Sequence, residues 1–363
     1  MSGRSDRDSR NSLVLGDRVT VAVATPLEAE LVAKIPSADP RITVLYEPDL
    51  LPPTRFPGDH RGVDGFRRTP EQERSWLAML GSAEILFGLP GDSGTGLAEA
   101  VGIAPRLRWV QGTAAGAGEQ VRAAGLAAED LERIAFTTSS GIHGSQLAEF
   151  AFLGLLAFNK DLPRLLRDKA SRHWDHYPVR ELAGQTMLIV GFGSIGDEIA
   201  RRAKAFGMRV IGVNRSGASG SPNVDEMHGI DSLDTLLPTA DAVVLALPAT
   251  HETRQMIDGR AIGLMRHGAV FVNVGRGAVV DEDVLAAALE SGRLRGAALD
   301  VFATEPLPSD SPLWDLPNVL ISPHTAALSI HENARIVELF CENLRRYLAG
   351  EELINRIDPR LMY

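Results

Sequence analysis

The stretch from Gln185 to Ser216, QTMLIVGFGSIGDEIARRAKAFGMRVIGVNRS, constrains this chain more than any other part of it. Its first apolar run, Thr186 to Val190, reads as a strand buried on both faces. Gly191, Gly193 and Gly196 follow as G-x-G-x-x-G, and Ile195, Ile199, Ala200, Ala203 and Phe206 then recur at helical spacing. A second apolar run, Val210 to Val213, completes a strand–turn–helix–strand unit. In that context each glycine has a physical task. The first permits a tight turn, the second lets a pyrophosphate approach the backbone, and the third lets helix pack on strand. The helix start adds N–H groups and the positive end of a dipole. The stretch is therefore read as a dinucleotide site.

The end of the second strand decides which dinucleotide. An Asp or Glu about 20 residues past the glycines would accept hydrogen bonds from the adenosine ribose. This chain has Asn214, Arg215 and Ser216 there. A carboxylate would repel a 2′-phosphate, whereas an amide, a guanidinium and a hydroxyl can hold one, the guanidinium through paired charge-assisted bonds. NADP(H) is the expected preference. NAD(H), held through Asn214 with Arg215 in solvent, is the alternative.

Composition narrows the class. A chain of 363 residues accommodates two domains, and 44% hydrophobic with 23% charged residues is ordinary globular material. The net charge of −10 argues against a broad nucleic-acid or anionic-membrane surface, so an anionic ligand must be held by local groups such as Arg276. Cys341 is the only cysteine, so no disulfide within the chain is possible, and a reducing, cytoplasmic location is expected. Residues 1–17 are polar without an apolar core and read as a disordered tail. The longest apolar segment, Leu147 to Phe158, contains Glu149 and is too short to span a bilayer.

In chain order, the first part shows candidate strands at Val19–Val23, Ile42–Tyr46, Glu84–Phe87, Leu107–Gln111 and Ile134–Thr137, separated by helical segments. That alternation is the pattern of a small parallel α/β unit. Residues 47–70, rich in Pro, Gly and Arg, read as a plain surface excursion, with a lid or subunit contact as the less expected role. A long buried helix from Gly144 ends near Leu162-Pro163, followed by a polar stretch from Arg164 to Arg180. Beyond Val213, strands are expected at Ala242–Leu247, Ala269–Val274, Ala297–Val301 and Val319–Ser322, making six in a doubly wound sheet. A final helix from about Ser329 to Leu348 returns to the first unit. The fold class is thus α/β with two Rossmann-like doubly wound domains, residues 18–143 plus 328–363 and residues 144–327.

In open α/β sheets ligands sit beyond the carboxyl ends of the strands. Three such ends are chemically suggestive: Asn273-Val274-Gly275-Arg276-Gly277, Leu299-Asp300 leading to Glu305-Pro306, and Ser322-Pro323-His324. An Arg, an acid and a His beside a nicotinamide suffice to reduce a 2-oxo acid. Arg276 can bind the carboxylate and polarise the carbonyl. His324 can donate the proton that accompanies hydride transfer, and Glu305, if paired with it, would hold the imidazolium. Asp300 suits a cofactor-binding or orienting role. Two loops in the first unit, Gly88–Gly91 and Gln111–Gly118, have the look of anion-binding turns. No metal site is expected.

From about Leu107 to Ala327 the chain resembles the D-isomer-specific 2-hydroxyacid dehydrogenases. GFGSIG, VNVGRGAVVDEDVL, GAALDVFATEPLP and LPNVLISPHTA occur in family order, with 29 residues from Arg276 to Glu305 and 19 from Glu305 to His324. The resemblance implies Arg276, Glu305 and His324 as the catalytic set. It places Gly193, Ser194, Ile195, Arg215, Ser216, Pro248, Val274, Asp300 and Ala326 near the cofactor, and Leu89, Ala115 and Gly116 at the substrate. It also implies a flavodoxin-like substrate domain beside an NAD(P)-binding Rossmann domain, and a homodimer. The match loosens at Gly112–Gly118, where the family often has Ser-x-Gly-Ala-Gly-Val-Asp. The Asn214-Arg215-Ser216 end resembles the NADP-preferring glyoxylate and hydroxypyruvate reductases. A formate dehydrogenase is disfavoured because Glu305 stands where that relative has Gln. Two alternatives remain: an NAD-linked dehydrogenase of a larger or phosphorylated acid, for which Gly88–Gly91 supplies no cation, and a non-catalytic dinucleotide sensor like the corepressors that resemble this family, against which retention of Arg276, Glu305 and His324 argues.

Overall fold

The computed structural model describes residues 18–358; the expected tail, 1–17, lies outside them. The chain divides into two compact units, one running up to Ile142 and resuming at Ser329, the other spanning His143–Leu328. Among the described residues no helix is long and apolar enough to cross a membrane.

The first unit is built on five strands, β1 (Val19–Val23), β2 (Ile42–Leu45), β3 (Ile85–Phe87), β4 (Trp109–Gln111) and β5 (Ala135–Thr137). They are parallel, in the order β2-β1-β3-β4-β5, which is the flavodoxin arrangement. Alternation along each strand sends side chains to two separate cores. Leu86 and Val110 pack with Trp76, Met79, Leu80, Leu97 and Ala100 of the helices Pro70–Ser82 and Gly94–Ile103. Ile85, Phe87 and Trp109 face Ile336, Phe340 and Leu344 of the terminal helix Glu332–Ala349. The Phe340 ring lies 4.9 Å from Trp109 and 5.0 Å from Phe87, centroid to centroid.

The second unit holds β6 (Thr186–Val190), β7 (Arg209–Asn214), β8 (Glu226–Gly229), β9 (Ala242–Leu245), β10 (Val270–Asn273), β11 (Gly296–Leu299) and β12 (Val319–Ile321). Their order is β12-β11-β10-β9-β6-β7-β8, all parallel. The chain direction across the sheet reverses between β6 and β9, the switch point beside which open α/β sheets bind ligands. One face is covered by the helices Gly144–Asn159 and Ser194–Ala205, the other by Gly259–Leu264 and Glu282–Glu290.

Three readings are corrected. The sheet has seven strands rather than six: β8 pairs only with β7, and as a half-buried edge strand of sequence EMHG it carries no apolar run. The polar stretch after Pro163 is largely a second helix, Leu162–Ser171, entered through Asp161 in the left-handed region (φ 55°) after the first helix stops at Asn159. None of its residues is buried, and Leu162, Leu165 and Leu166 face outward, so its pattern does not read as a core helix. Residues 47–70, finally, are not a plain surface excursion.

That segment is folded on itself around one buried carboxylate and is tied to the rest of the first unit through His60 and Arg68. The Asp59 carboxylate, 4% exposed, accepts from Arg55 Nε and Nη2 at 2.8 Å each, from the Arg55 N–H at 2.9 Å and from the Gly62 N–H at 3.0 Å. Thr25 Oγ1 donates to the His60 carbonyl at 2.8 Å, and His60 Nε2 lies 2.8 Å from Asn333 Oδ1. The Arg68 guanidinium sits 4.0 Å over the Trp76 ring. Held this way, the segment, through Phe56 and Phe66, walls a cavity of about 530 Å³ together with Pro26 and Tyr46.

The Arg55 guanidinium bonded to Asp59 holds that carboxyl below the usual carboxylate range. A carboxyl whose pKa is lower folded than unfolded contributes stability in full above the unfolded value, about 3.9, and loses it as pH falls toward the folded one. Asp59→Asn should therefore cost about 1.5–3 kcal/mol at pH 7, the scale of charge-assisted bonds, and progressively less below about pH 4. Urea unfolding at pH 7 and pH 3 reads both, and equal deficits would mean that charge does not hold the segment.

Candidate active site

The three motif glycines differ in what surrounds them. Gly191 has φ 98°, and a Cβ there would come within 2.6 Å of the Ala246 carbonyl; one on Gly196 would come within 2.6 Å of the Gly191 oxygen. Both are required by the protein's own packing. A Cβ on Gly193 would meet nothing within 4 Å. Gly193 instead leaves open ground at the start of the helix Ser194–Ala205, whose first N–H groups have no intrahelical partner. Open backbone at a helix start, beside exposed Ser194 and half-buried Ile195, suits the pyrophosphate of a dinucleotide.

At the end of β7, Asn214 folds its own loop. Its Oδ1 accepts from the Gly217 N–H at 2.7 Å and from Ser216 Oγ at 3.1 Å, and its Nδ2 donates to the Ala218 carbonyl at 2.8 Å. Both ends of the amide are thus committed to the turn, while Arg215 and Ser216 are exposed at its tip. Exposed Pro248 follows β9, its carbonyl accepting from Thr253 Oγ1 at 2.7 Å.

The ends of β10, β11 and β12 lie side by side. Buried Val274 leaves β10, its N–H donating to the Leu245 carbonyl at 3.0 Å. Arg276 follows between two glycines that packing demands: a Cβ on Gly275 would come 2.6 Å from the Leu247 oxygen, and one on Gly277 1.8 Å from the Phe302 carbonyl carbon. Asn273, 2% exposed, closes this turn by accepting from the Gly275 N–H at 3.0 Å and donating to the Arg276 carbonyl at 3.1 Å. Arg276 itself is half-buried, with Nη1 donating to the Gly275 carbonyl at 2.9 Å.

Asp300, 1% exposed, joins β11 to β12. Its Oδ1 accepts from Ser322 Oγ at 2.6 Å, from the Thr325 N–H at 3.0 Å and from the Ala326 N–H at 2.9 Å. Its backbone carbonyl accepts from the His324 N–H at 2.9 Å. These bonds hold His324 in the left-handed region, at φ 54°. The His324 ring meets Glu305 with Nδ1 2.8 Å from Oε2, while Glu305 Oε1 accepts from the Phe302 N–H at 3.0 Å. A carboxylate on Nδ1 fixes the ring and leaves Nε2 as the nitrogen available for proton transfer.

The structure thus pairs Glu305 with His324 and brings Arg276 to the neighbouring strand end. Leu89, Ala115 and Gly116 belong to the first unit: Leu89 is buried after β3, Ala115 is exposed after β4, and the Gly116 carbonyl accepts from the Glu119 N–H at 3.0 Å. Three residues near these strand ends, Asn273, Ser322 and Glu282 at the start of the helix Glu282–Glu290, were given no role from the sequence. Asn273 and Ser322 are buried polar residues closing apolar strands, a signal the sequence does carry. Glu282 accepts from the Ala303 N–H, and burial, reinforced by Asp283 and Glu305, pushes its carboxyl above the usual range. Nothing in its sequence position announces that role.

Residues 152–326 match the family model described as "D-isomer specific 2-hydroxyacid dehydrogenase, NAD binding domain". A glyoxylate reductase of Korarchaeum cryptofilum is 36% identical over 235 residues, 62% of this chain and 70% of that one. A D-3-phosphoglycerate dehydrogenase of Mycobacterium tuberculosis is 35% identical over 295 residues, 80% of this chain and 53% of that one. Among solved structures, a D-isomer specific 2-hydroxyacid dehydrogenase from Xanthobacter autotrophicus Py2, in complex with NADPH and MES, superposes with a TM-score of 0.75 at 28% identity, covering 96% of this chain and all (100%) of that one.

Proposed function

The chain belongs to the D-isomer specific 2-hydroxyacid dehydrogenase family and is an NAD(P)-dependent oxidoreductase, and from that premise we propose that it reduces a small 2-oxo acid, of glyoxylate or hydroxypyruvate type, to the D-2-hydroxy acid. The observation that carries the reading is the His324–Glu305 pair, 2.8 Å apart at the end of β12, beside the strand ends that present Asp300 and Arg276.

Bound in the crevice, the reduced nicotinamide supplies the hydride. The chain's own residues do the rest. Arg276 binds the substrate carboxylate through its fork of donors and polarises the carbonyl. His324 delivers a proton from Nε2 to the carbonyl oxygen, and Glu305 on Nδ1 stabilises the charged ring beforehand. Asp300 keeps His324, Thr325 and Ala326 in place. Leu89 and the backbone of Ala115 and Gly116, in the first unit, are proposed as substrate-binding residues. Residues 144–327 act as the dinucleotide domain, and residues 18–143 with 328–363 as the substrate domain. The relative named for a phosphorylated acid does not change this reading, because Gly88-Leu89-Pro90-Gly91 offers a phosphate no cation.

NADPH is the proposed donor. No carboxylate stands at the end of β7 to repel a 2′-phosphate, and the Asn214 turn presents Arg215 and Ser216 outward. The protein is also proposed to be a homodimer. Leu162, Leu165 and Leu166 lie on one side of a helix without a buried residue and are 36%, 47% and 56% exposed, an apolar side that a second copy would cover.

Initial rates with NADPH and NADH at matched concentrations, against glyoxylate, hydroxypyruvate, pyruvate and phenylpyruvate, should favour NADPH with glyoxylate or hydroxypyruvate. Tight cofactor binding without turnover on any acid would make the chain a sensor instead. His324→Ala should lower kcat by about a hundredfold or more with NADPH affinity unchanged, the usual scale for a general acid; near-normal kcat would remove His324 from proton transfer. Arg215→Ala should weaken NADPH by roughly 1.5–3 kcal/mol and NADH hardly at all. Equal losses in fluorescence titrations would mean that Arg215 does not read the phosphate. Light scattering should give twice the 39.1 kDa chain mass, falling to one on Leu165→Glu with Leu166→Glu.

A further inference from the structure

At the amino ends of β10, β11 and β12, the opposite end of the sheet's strands from the glycine motif, a cavity of about 400 Å³ opens. Its lining includes Arg164, Arg167, Arg180, Arg295 and His267, with Asp161 the one acid among the described lining residues. This concentration of guanidinium groups occurs on a chain of net charge −10, so it is local and not a sample of a basic surface.

The cations are not equally neutralised. Arg164 is committed to Asp168 at 3.3 Å and Asp175 at 2.6 Å, and it lies 3.6 Å over the Tyr177 ring. Arg167 is within 3.6 Å of Asp168. Arg180 and Arg295 have no carboxylate partner among the described residues and donate only to backbone carbonyls, Arg180 Nη1 to Gly268 at 3.1 Å and Arg295 Nη1 to Phe158 at 3.4 Å. Arg295 Nε is buried without any hydrogen-bond partner. Burial, and then the like charge of Arg180, pull the Arg295 guanidinium below its usual range, against the smaller opposing pull of Asp161. A buried, unpaired donor facing a second cation is costly in a closed protein and is relieved by an anion between them. The ten-residue helix Leu162–Ser171 also begins here, through Asp161, Pro163 and Arg164, adding its positive end.

We propose that this cavity is a binding site for the phosphate group of a small phosphorylated molecule, held between Arg180 and Arg295 at the start of the helix Leu162–Ser171. The volume suits a compact metabolite and not merely one ion. Successive helical residues are about 100° apart, so Arg164 and Arg167 face away from the arc of Leu162, Leu165 and Leu166. The phosphate site and the apolar side therefore occupy different sides of one helix, and the site does not rest on the proposed reaction.

The test is calorimetric titration of inorganic pyrophosphate into the full chain saturated with reduced dinucleotide, so that the nucleotide crevice is already filled. One pyrophosphate per chain is expected, with affinity falling about tenfold or more in Arg180→Gln and in Arg295→Gln, the loss of one charge-assisted bond. Steady-state turnover of Arg180→Gln should stay at the wild-type level, which separates failure of this site from failure of the enzymatic reading. No binding to the wild-type chain, or unchanged affinity in Arg180→Gln, overturns the proposal; because Arg180 is exposed, that variant decides the matter even if Arg295→Gln fails to fold. A change in subunit count on Arg180→Gln with pyrophosphate affinity intact overturns it too, since the cations would then seat a second copy of the chain.

Discussion

One carboxylate oxygen, Asp300 Oδ1, carries the working end of the second unit. It collects a hydroxyl and two backbone N–H groups from the segment that follows β12, and the same residue's carbonyl takes the His324 N–H. Each of these donors, left without an acceptor in a buried place, would cost about 1–3 kcal/mol. Their convergence makes the conformation of residues 322–326 a matter of electrostatics and not of chain preference. A non-glycine residue at φ 54° is otherwise unfavourable, and here the surrounding bonds over-determine it. The direction of the His324 ring, and so its meeting with Glu305, follows from a group that has no need to touch a substrate.

The same logic separates glycines that look alike in sequence. Gly191, Gly196, Gly275 and Gly277 are required because a Cβ would strike backbone, whereas Gly193 is surrounded by space. A glycine that packing demands says only that two segments pass closely. A glycine with open room in front of it, at a helix start and a sheet switch point, says that something else is expected there. This distinction carries the dinucleotide reading in the structure, and the motif spacing alone does not contain it.

Much of the architecture was legible because parallel strands buried on both faces are written as apolar runs, and eleven of the twelve strands among the described residues announced themselves that way. The exception, β8, is an edge strand whose side chains are all half-buried; pairing with β7 makes it a strand, and pairing with a distant segment leaves no periodic trace. The placement of Arg276, Glu305 and His324 at neighbouring strand ends, and the pairing of the last two, were legible from their places after such runs. Asn273 and Ser322 sat in plain view but were passed over, since a buried polar residue closing a strand is noticed only once its partners are known. The segment 47–70 was misread for a different reason. Its Pro, Gly and charge content describes the backbone's irregularity correctly, but irregular chain can still be fixed when one carboxylate, Asp59, satisfies four donors.

Helix Leu162–Ser171 shows where composition misleads most. Averaged over its length it is polar, so it reads as solvated chain; resolved around its axis it is amphipathic, with leucines outward and arginines toward a cavity. A helix whose leucines are 36–56% exposed gains little from the hydrophobic effect within its own unit, and ten residues are too few to be stable in water alone. It must be held by what its polar side does. Arg164 stacked on Tyr177 and bound to Asp168 and Asp175 supplies part of that hold. The remaining cations near the cavity act against it by mutual repulsion unless an anion joins them. Order on the polar side and an exposed apolar side are therefore one physical condition: the charges that keep the helix formed are what allow its leucines to remain available to another surface.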